Sequence, residues 1–196
     1  KMNSISLKQD ISIIVDSIGD IADDFSGKTI LLGGGRGFLC RYFEEVFREL
    51  NSTRLRNKPC KVILVDNLST VSSASTSWKK NENVTFITAS VTDPLNLDQQ
   101  IDFVVNAAGI PSPFYYRAHP LETLDASVIG TRNLLNLANQ NGARFIFFSS
   151  SEIYGEPDPK HVPTPESYRG NVSPMGPRAC YDESKRSGDC LLYTSD

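Results

Sequence analysis

Metal-binding and cross-linking residues are scarce in this chain. Two histidines, His119 and His161, occur among 196 residues, and each lies near a proline in a loop-like stretch. The four cysteines, Cys40, Cys60, Cys180 and Cys190, are scattered without metal-ligand spacing. A metal site is therefore not expected, and the cysteine usage reads as that of a reduced, cytoplasmic protein. An excess of one charge is also missing. The net charge of -3 offers neither a nucleic-acid footprint nor a polybasic membrane patch. Long apolar runs are absent too: the longest, near Phe145 to Phe148, is strand-sized. The N-terminus has no basic region followed by an apolar stretch, so no secretory signal is expected.

What is present is an alternation of short apolar runs and helical patterns. A chain of this length buries one good core, so one domain is expected. Residues 5–25 carry Ile5, Leu7, Ile11, Ile13, Ile14, Val15, Ile18 and Ile21 among acids, which predicts an amphipathic helix or arm on the surface of the domain. We read residues 1–27 as this arm and 28–196 as the main domain. Strands are predicted at Lys28–Leu32, Lys61–Val65, Val84–Thr88, Ile101–Val105 and Arg144–Ser149. Helices are predicted at Phe38–Leu50, at Leu121–Asn141 with a stop at Asn141-Gly142, and from Tyr181 onward. Asn51–Pro59 reads as a polar, basic loop, and Ser69–Asn83 as a loop or irregular helix. Six prolines between Glu156 and Pro177 exclude a regular element there. This alternation predicts an α/β fold with a doubly wound parallel sheet covered on both faces.

Ligands of such sheets lie beyond the C-terminal ends of the strands. Four polar or glycine-rich groups fall at such ends. They are Gly33–Gly37, Asp66, Ala107-Ala108-Gly109 and Ser149–Ser151. A pyrophosphate needs backbone N–H groups and a helix N-terminus close by, and a side chain would block that approach. Gly34 and Gly37 sit three apart at the turn, and Cys40 stands where a third glycine is usual. Asp66 ends the next strand, where a carboxylate accepts from both ribose hydroxyls and repels a 2′-phosphate. NAD is therefore expected over NADP. Arg36 leaves two readings open, a partner for a 2′-phosphate or a solvated loop charge.

Tyr181 and Lys185 are spaced one helical turn apart. A phenol is a poor base at neutral pH unless a neighbouring cation stabilises the phenolate. Lys185 supplies that cation, and a hydroxyl such as that of Ser150 shares the proton of a substrate alcohol.

The residues resemble the extended short-chain dehydrogenase/reductase group, the NAD-dependent epimerase/dehydratase family, in its nucleotide-sugar branch. Ile30–Leu39 and Val65–Thr70 look like its cofactor motifs. Ser149–Gly155 and Gly176–Arg186 look like those of UDP-glucuronate decarboxylases. The resemblance covers roughly residues 28 to 189 and implies a Rossmann-like sheet. It implies cofactor contacts from Gly34, Gly37, Phe38, Leu39, Asp66, Asn67, Ser69, Thr70, Ala107, Ala108, Gly109, Tyr181 and Lys185. Ser90-Val91 stands where the family has an acid near the adenine, and Ser127 where it has an asparagine. Related dehydratases carry Thr-Asp-Glu before the Tyr-Gly pair, whereas decarboxylases carry a Ser/Thr-Ser-Glu like Ser150-Ser151-Glu152. The implied catalytic set is Ser150, Glu152, Tyr181 and Lys185. Glu152 also reads as an acid capping a turn. The implied substrate contacts are Ser112, Pro113, Tyr116, Ser150 and Arg178, and a surface role for Arg178 stays open.

The implied reaction is cyclic: oxidation at C4 of a UDP-sugar, loss of CO2 from C5, and return of the hydride to give UDP-xylose. Alternatives are 4-epimerisation or 4,6-dehydration on the same scaffold, or a non-catalytic NAD-binding fragment. The resemblance further implies a homodimer at full length and a C-terminal substrate domain that is missing here. Lys185 stands eleven residues from the last residue, so the chain is expected to be truncated and inactive alone.

Overall fold

The computed structural model describes residues 4–70 and 81–194. Residues 71–80, most of the stretch read as an irregular loop, lie outside the described residues. So do 1–3 and 195–196.

Five strands form one parallel sheet: β1 (Thr29–Gly33), β2 (Lys61–Asp66), β3 (Val84–Thr88), β4 (Phe103–Asn106) and β5 (Arg144–Phe147). Their spatial order is β3-β2-β1-β4-β5. Every residue of β1 is buried. This is why the strand reads as a continuous apolar run rather than an alternating one. Alternation reappears in the packing. Ile30 and Leu32 join Val62, Leu64 and Val105 in one cluster. Leu31 joins Ile63, Val65 and Val104 in the other.

Each cluster is closed by helices. Helix α2 (Phe38–Ser52) brings Val46, Phe47 and Leu50 to the first face. Helix α4 (Pro120–Asn141) brings Leu134, Leu137 and Ala138 to the second. It stops at Gly142, whose φ of 61° only glycine adopts cheaply. The last helix, α5 (Ala179–Tyr193), packs along α4. At Gly188 α5 also approaches the sheet, where a Cβ would lie 2.4 Å from the ring of Phe147 in β5.

The N-terminal pattern, continuous through residue 21, is split in two. Helix α1 (Ser4–Ile18) ends at Gly19, which has a φ of 55°, and a 3-10 turn spans Gly19–Phe25. Helix α1 packs on α2, with Ile11 buried and Tyr42 Oη donating to Asp10 Oδ2 at 3.0 Å. Arg54 holds Asp20 and Asp23 of the turn at 2.8 and 2.6 Å.

One helix has no counterpart in the sequence reading. Helix α3 (Pro113–Ala118) is six residues long and buries one side chain, that of Tyr116. One buried side chain leaves no periodicity to detect. The proline-rich stretch is irregular apart from a single 3-10 turn at Pro159–His161.

Candidate functional site

In this strand order the chain runs outward from β1 to β3, then returns to the other side of β1. The C-terminal ends of β1 and β4 therefore face one crevice, the place where doubly wound sheets bind ligands. A cavity of about 390 Å³ opens there.

The β1–α2 loop forms its floor. Gly34 N and Gly35 N donate to Val65 O at 2.9 and 3.0 Å. Gly34 has a φ of 75°, and a Cβ on it would lie 2.7 Å from Ala107 O. A side chain is thus excluded twice, by backbone conformation and by space. Gly37 is the N-cap of α2, so the helix start faces the cavity. Cys40, in the position of a third glycine, is fully buried with Sγ 3.7 Å from Gly33 O. The thiol is small enough for α2 to stay close to β1. Burial, with the Asp66 charge beside it, pushes its pKa up to about 12, so it remains protonated.

Asp66 ties two loops together. Its Oδ2 accepts from Arg36 N at 2.9 Å and its Oδ1 from Leu68 N at 2.7 Å. Leu68 has a φ of 60°, unusual for a side-chain-bearing residue, and the carboxylate holds the bend. The Arg36 guanidinium carbon lies 5.9 Å from the centre of the Phe86 ring.

Gly34, Gly37, Asp66, Asn67, Ser69, Thr70, Ser90, Val91, Ala107, Ala108 and Gly109 all line the cavity. Phe38 and Leu39 open α2 and are exposed. Ser127 is buried within α4, while its neighbours Asp125 and Ala126 reach the cavity wall. His119, Glu122 and Thr92 also line it and were not singled out in the sequence. His119, read as loop polarity, is the N-cap residue of α4, with Nδ1 3.6 Å from Glu122 Oε1. The available signal was the helix start itself, since α4 is the long helix that follows β4, with the short α3 between them. The charged wall residues are Asp66, Glu122 and Asp125, with no lysine or arginine among the described lining residues.

The second half of the site lies on α5 and the β5 exit. Lys185 is buried, and its Nζ donates to Phe148 O at 2.7 Å, 4.8 Å from the centre of the Phe147 ring. The same Nζ lies 3.7 Å from where a Cβ on Gly109 would stand, which places the amine behind the cavity wall. Burial lowers the Lys185 pKa to about 8 against the opposing pull of Asp189. Asp189 is held in turn by Ser149 Oγ at 2.6 Å. Tyr181, one turn before Lys185, stacks on Tyr116 with centroids 5.4 Å apart and planes 15° apart.

Ser150 caps the 3-10 turn Ser151–Tyr154, its Oγ accepting from Glu152 N at 3.3 Å. Arg186 on α5 holds that turn through Ile153 O at 2.9 Å. Glu152 forms an ion pair with Arg178, and Arg178 Nη2 stands 3.7 Å from Asp182 Oδ1. Burial raises the Asp182 pKa, which Arg178 opposes and Glu183 reinforces. Ser112 is the N-cap residue of α3, Pro113 opens that helix, and Tyr116 faces inward. The structure thus sets a glycine-floored cavity with Asp66 in its wall on one side of Gly109, and the buried Lys185 amine, one turn from Tyr181, on the other.

Residues 30–195 match the profile of the NAD dependent epimerase/dehydratase family. UDP-glucuronic acid decarboxylase 5 of Arabidopsis thaliana is 38% identical over 169 residues, 86% of this chain and 46% of the relative. UDP-glucuronic acid decarboxylase 1 of Xenopus tropicalis is 37% identical over 167 residues, 85% of this chain and 37% of the relative. The chain thus spans less than half the length of these curated relatives. Among solved structures, the UDP-glucose 4-epimerase of Thermotoga maritima with UDP-glucose is similar. It is 26% identical with a TM-score of 0.64, covering 84% of this chain and 50% of that one.

Proposed function

This chain belongs to the NAD dependent epimerase/dehydratase family, and from that membership we propose that the whole protein decarboxylates UDP-glucuronate. The observation that carries the reading is the Ser150-Ser151-Glu152 turn beside the Tyr181 helix, with Glu152 paired to Arg178 where the two meet. The similarity to curated UDP-glucuronic acid decarboxylases supports the same choice.

NAD fits the residues present. The Gly34 turn lines the cavity with bare backbone, a side chain being excluded by the Ala107 backbone behind it, and Asp66 in the same wall disfavours an additional phosphate. Gly34 and Gly37 would hold the pyrophosphate, Asp66 and Asn67 the adenosine ribose, Ser90 and Val91 the adenine side, and Ala107 to Gly109 the nicotinamide side. When bound, NAD supplies a hydride acceptor and later a donor.

The remaining chemistry falls to side chains. Tyr181 takes the proton of the sugar C4 hydroxyl and returns it when the alcohol is restored. Lys185 stabilises the phenolate, and Ser150 shares the proton in transit. Glu152 and Arg178 flank the C5 carboxylate; with a ketone at C4 the bond from C5 to the carboxylate breaks, its electrons pass into the enolate of that ketone, and C5 then takes a proton from water. The outer faces of α4 and α5 would form the dimer contact.

The test is to incubate the whole protein with UDP-glucuronate and NAD, follow CO2 and identify the sugar. CO2 with UDP-xylose, or its 4-keto precursor, is expected. An epimer or a dehydrated sugar without CO2 would leave the cofactor site standing and overturn the decarboxylase reading.

A further inference from the structure

Tyr116 is the one side chain that α3 buries. It is 4% exposed, whereas its neighbours Phe114 and Tyr115 are 76% and 39% exposed. What it packs against is the Tyr181 ring, nearly parallel at 5.4 Å. A second contact joins the same two segments: Cys180, next to Tyr181, has its Sγ 3.5 Å from Tyr116 O. Tyr116 N donates to Ser112 O at 2.9 Å, which anchors the residue to the start of its helix. Helix α3 follows closely after Gly109 and Ile110, both in the cavity wall. The cavity wall, α3 and the first turn of α5 therefore form a continuous chain of contacts that ends on the Tyr181 ring.

We infer that Tyr116 is a positioning residue for the Tyr181 phenol, and that it acts through its ring. The inference rests on the proposed role of Tyr181 as base. A phenol at the start of a helix swings about two side-chain torsions. Lys185 stabilises its charge but does not fix its plane. A flat, buried ring stacked beneath it does, and the geometry of proton transfer is sensitive to such displacement. The ring, not the oxygen of Tyr116, is the working part, so phenylalanine should replace it.

Three variants test this in the whole protein. Tyr116→Phe, which keeps the stacked ring, is expected to retain about tenfold more kcat than Tyr116→Leu. Tyr116→Leu is expected to lower kcat about tenfold or more, with KM for the nucleotide sugar and NAD affinity held within about threefold. If Tyr116→Leu fails to fold, Tyr116→Met takes its place, as a flexible chain of similar reach. A Tyr116→Phe variant that loses as much kcat as Tyr116→Leu would make the hydroxyl, not the ring, the working part and overturn the inference. So would a Tyr116→Leu variant with unchanged kcat. No turnover by the unaltered protein on any nucleotide sugar would instead overturn the reading on which the inference rests.

Discussion

Lys185→Met separates the electrostatic cost of the site from its chemistry. The amine is 6% exposed, and burial moves its pKa from 10.5 to about 8. At about 1.4 kcal/mol per pKa unit, keeping it charged costs the fold about 3 kcal/mol. Between about pH 8 and 10.5 the unfolded chain binds a proton at this position that the folded chain does not. Stability from this group is therefore complete above pH 10.5 and lost as the pH falls through about 8. Methionine has no such dependence. It removes the buried charge but leaves Phe148 O without its donor, at about 1–3 kcal/mol. Near neutral pH the two effects largely cancel, so the variant should be about as stable as the unaltered chain. Towards pH 10 it should fall behind by about 3 kcal/mol. Urea melts of both proteins, followed by circular dichroism from about pH 7 to about pH 10, give the difference directly. Other titrations are common to both proteins and drop out. Stability curves that run parallel across this range would refute the buried, depressed ammonium. In the whole protein the same variant should lose about a hundredfold or more in kcat.

Gly34→Ala forces a Cβ to 2.7 Å from Ala107 O at a φ of 75°. It should cost about 1–3 kcal/mol in a thermal melt and weaken NAD binding at least about tenfold by fluorescence titration; unchanged affinity would show that the loop is not the cradle. Asp66→Asn removes the charge that holds Arg36 N and Leu68 N. Calorimetry should find NAD bound about tenfold more weakly and the margin over NADP narrowed, and an undiminished preference for NAD would refute the assignment. Leu134 is fully buried in the cluster under α4. Leu134→Ala should destabilise by about 3 kcal/mol in urea, and a loss below about 1 kcal/mol would mean the cluster closes over the gap.

The centre of the sheet was legible because β1 and β2 are buried on both faces. Ile30 to Leu32 and Val62 to Val65 are unbroken apolar runs for that reason. The N-terminal isoleucines misled in one respect: a helical pattern through Ile21 does not reveal that Gly19 ends the helix. Helix α3 was invisible because one buried tyrosine in six residues has no period. In the cavity, residues identified by backbone need (Gly34, Gly37, Gly109) or by strand-end position (Asp66, Asn67) all line the wall. His119, Glu122 and Asp125 were missed because a polar residue at the start of a helix looks the same whether it faces water or a ligand.

That contrast has a physical origin. A pyrophosphate cradle is built from local backbone, so its glycines are written within a few residues of one another. The strand order then brings β1 and β4 together without any further sequence signal. The half proposed to move the proton has no such economy. Tyr181 meets Tyr116 across sixty-five positions, and Lys185 meets Phe148 across thirty-seven. Glu152 and Arg178 pair between a capped turn and the residue before α5. Spacing along the chain nominated Tyr181 and Lys185 because both lie on one helix. It could not show that Tyr116 packs beneath the phenol, since that contact exists only once α3 and α5 have docked at the crevice.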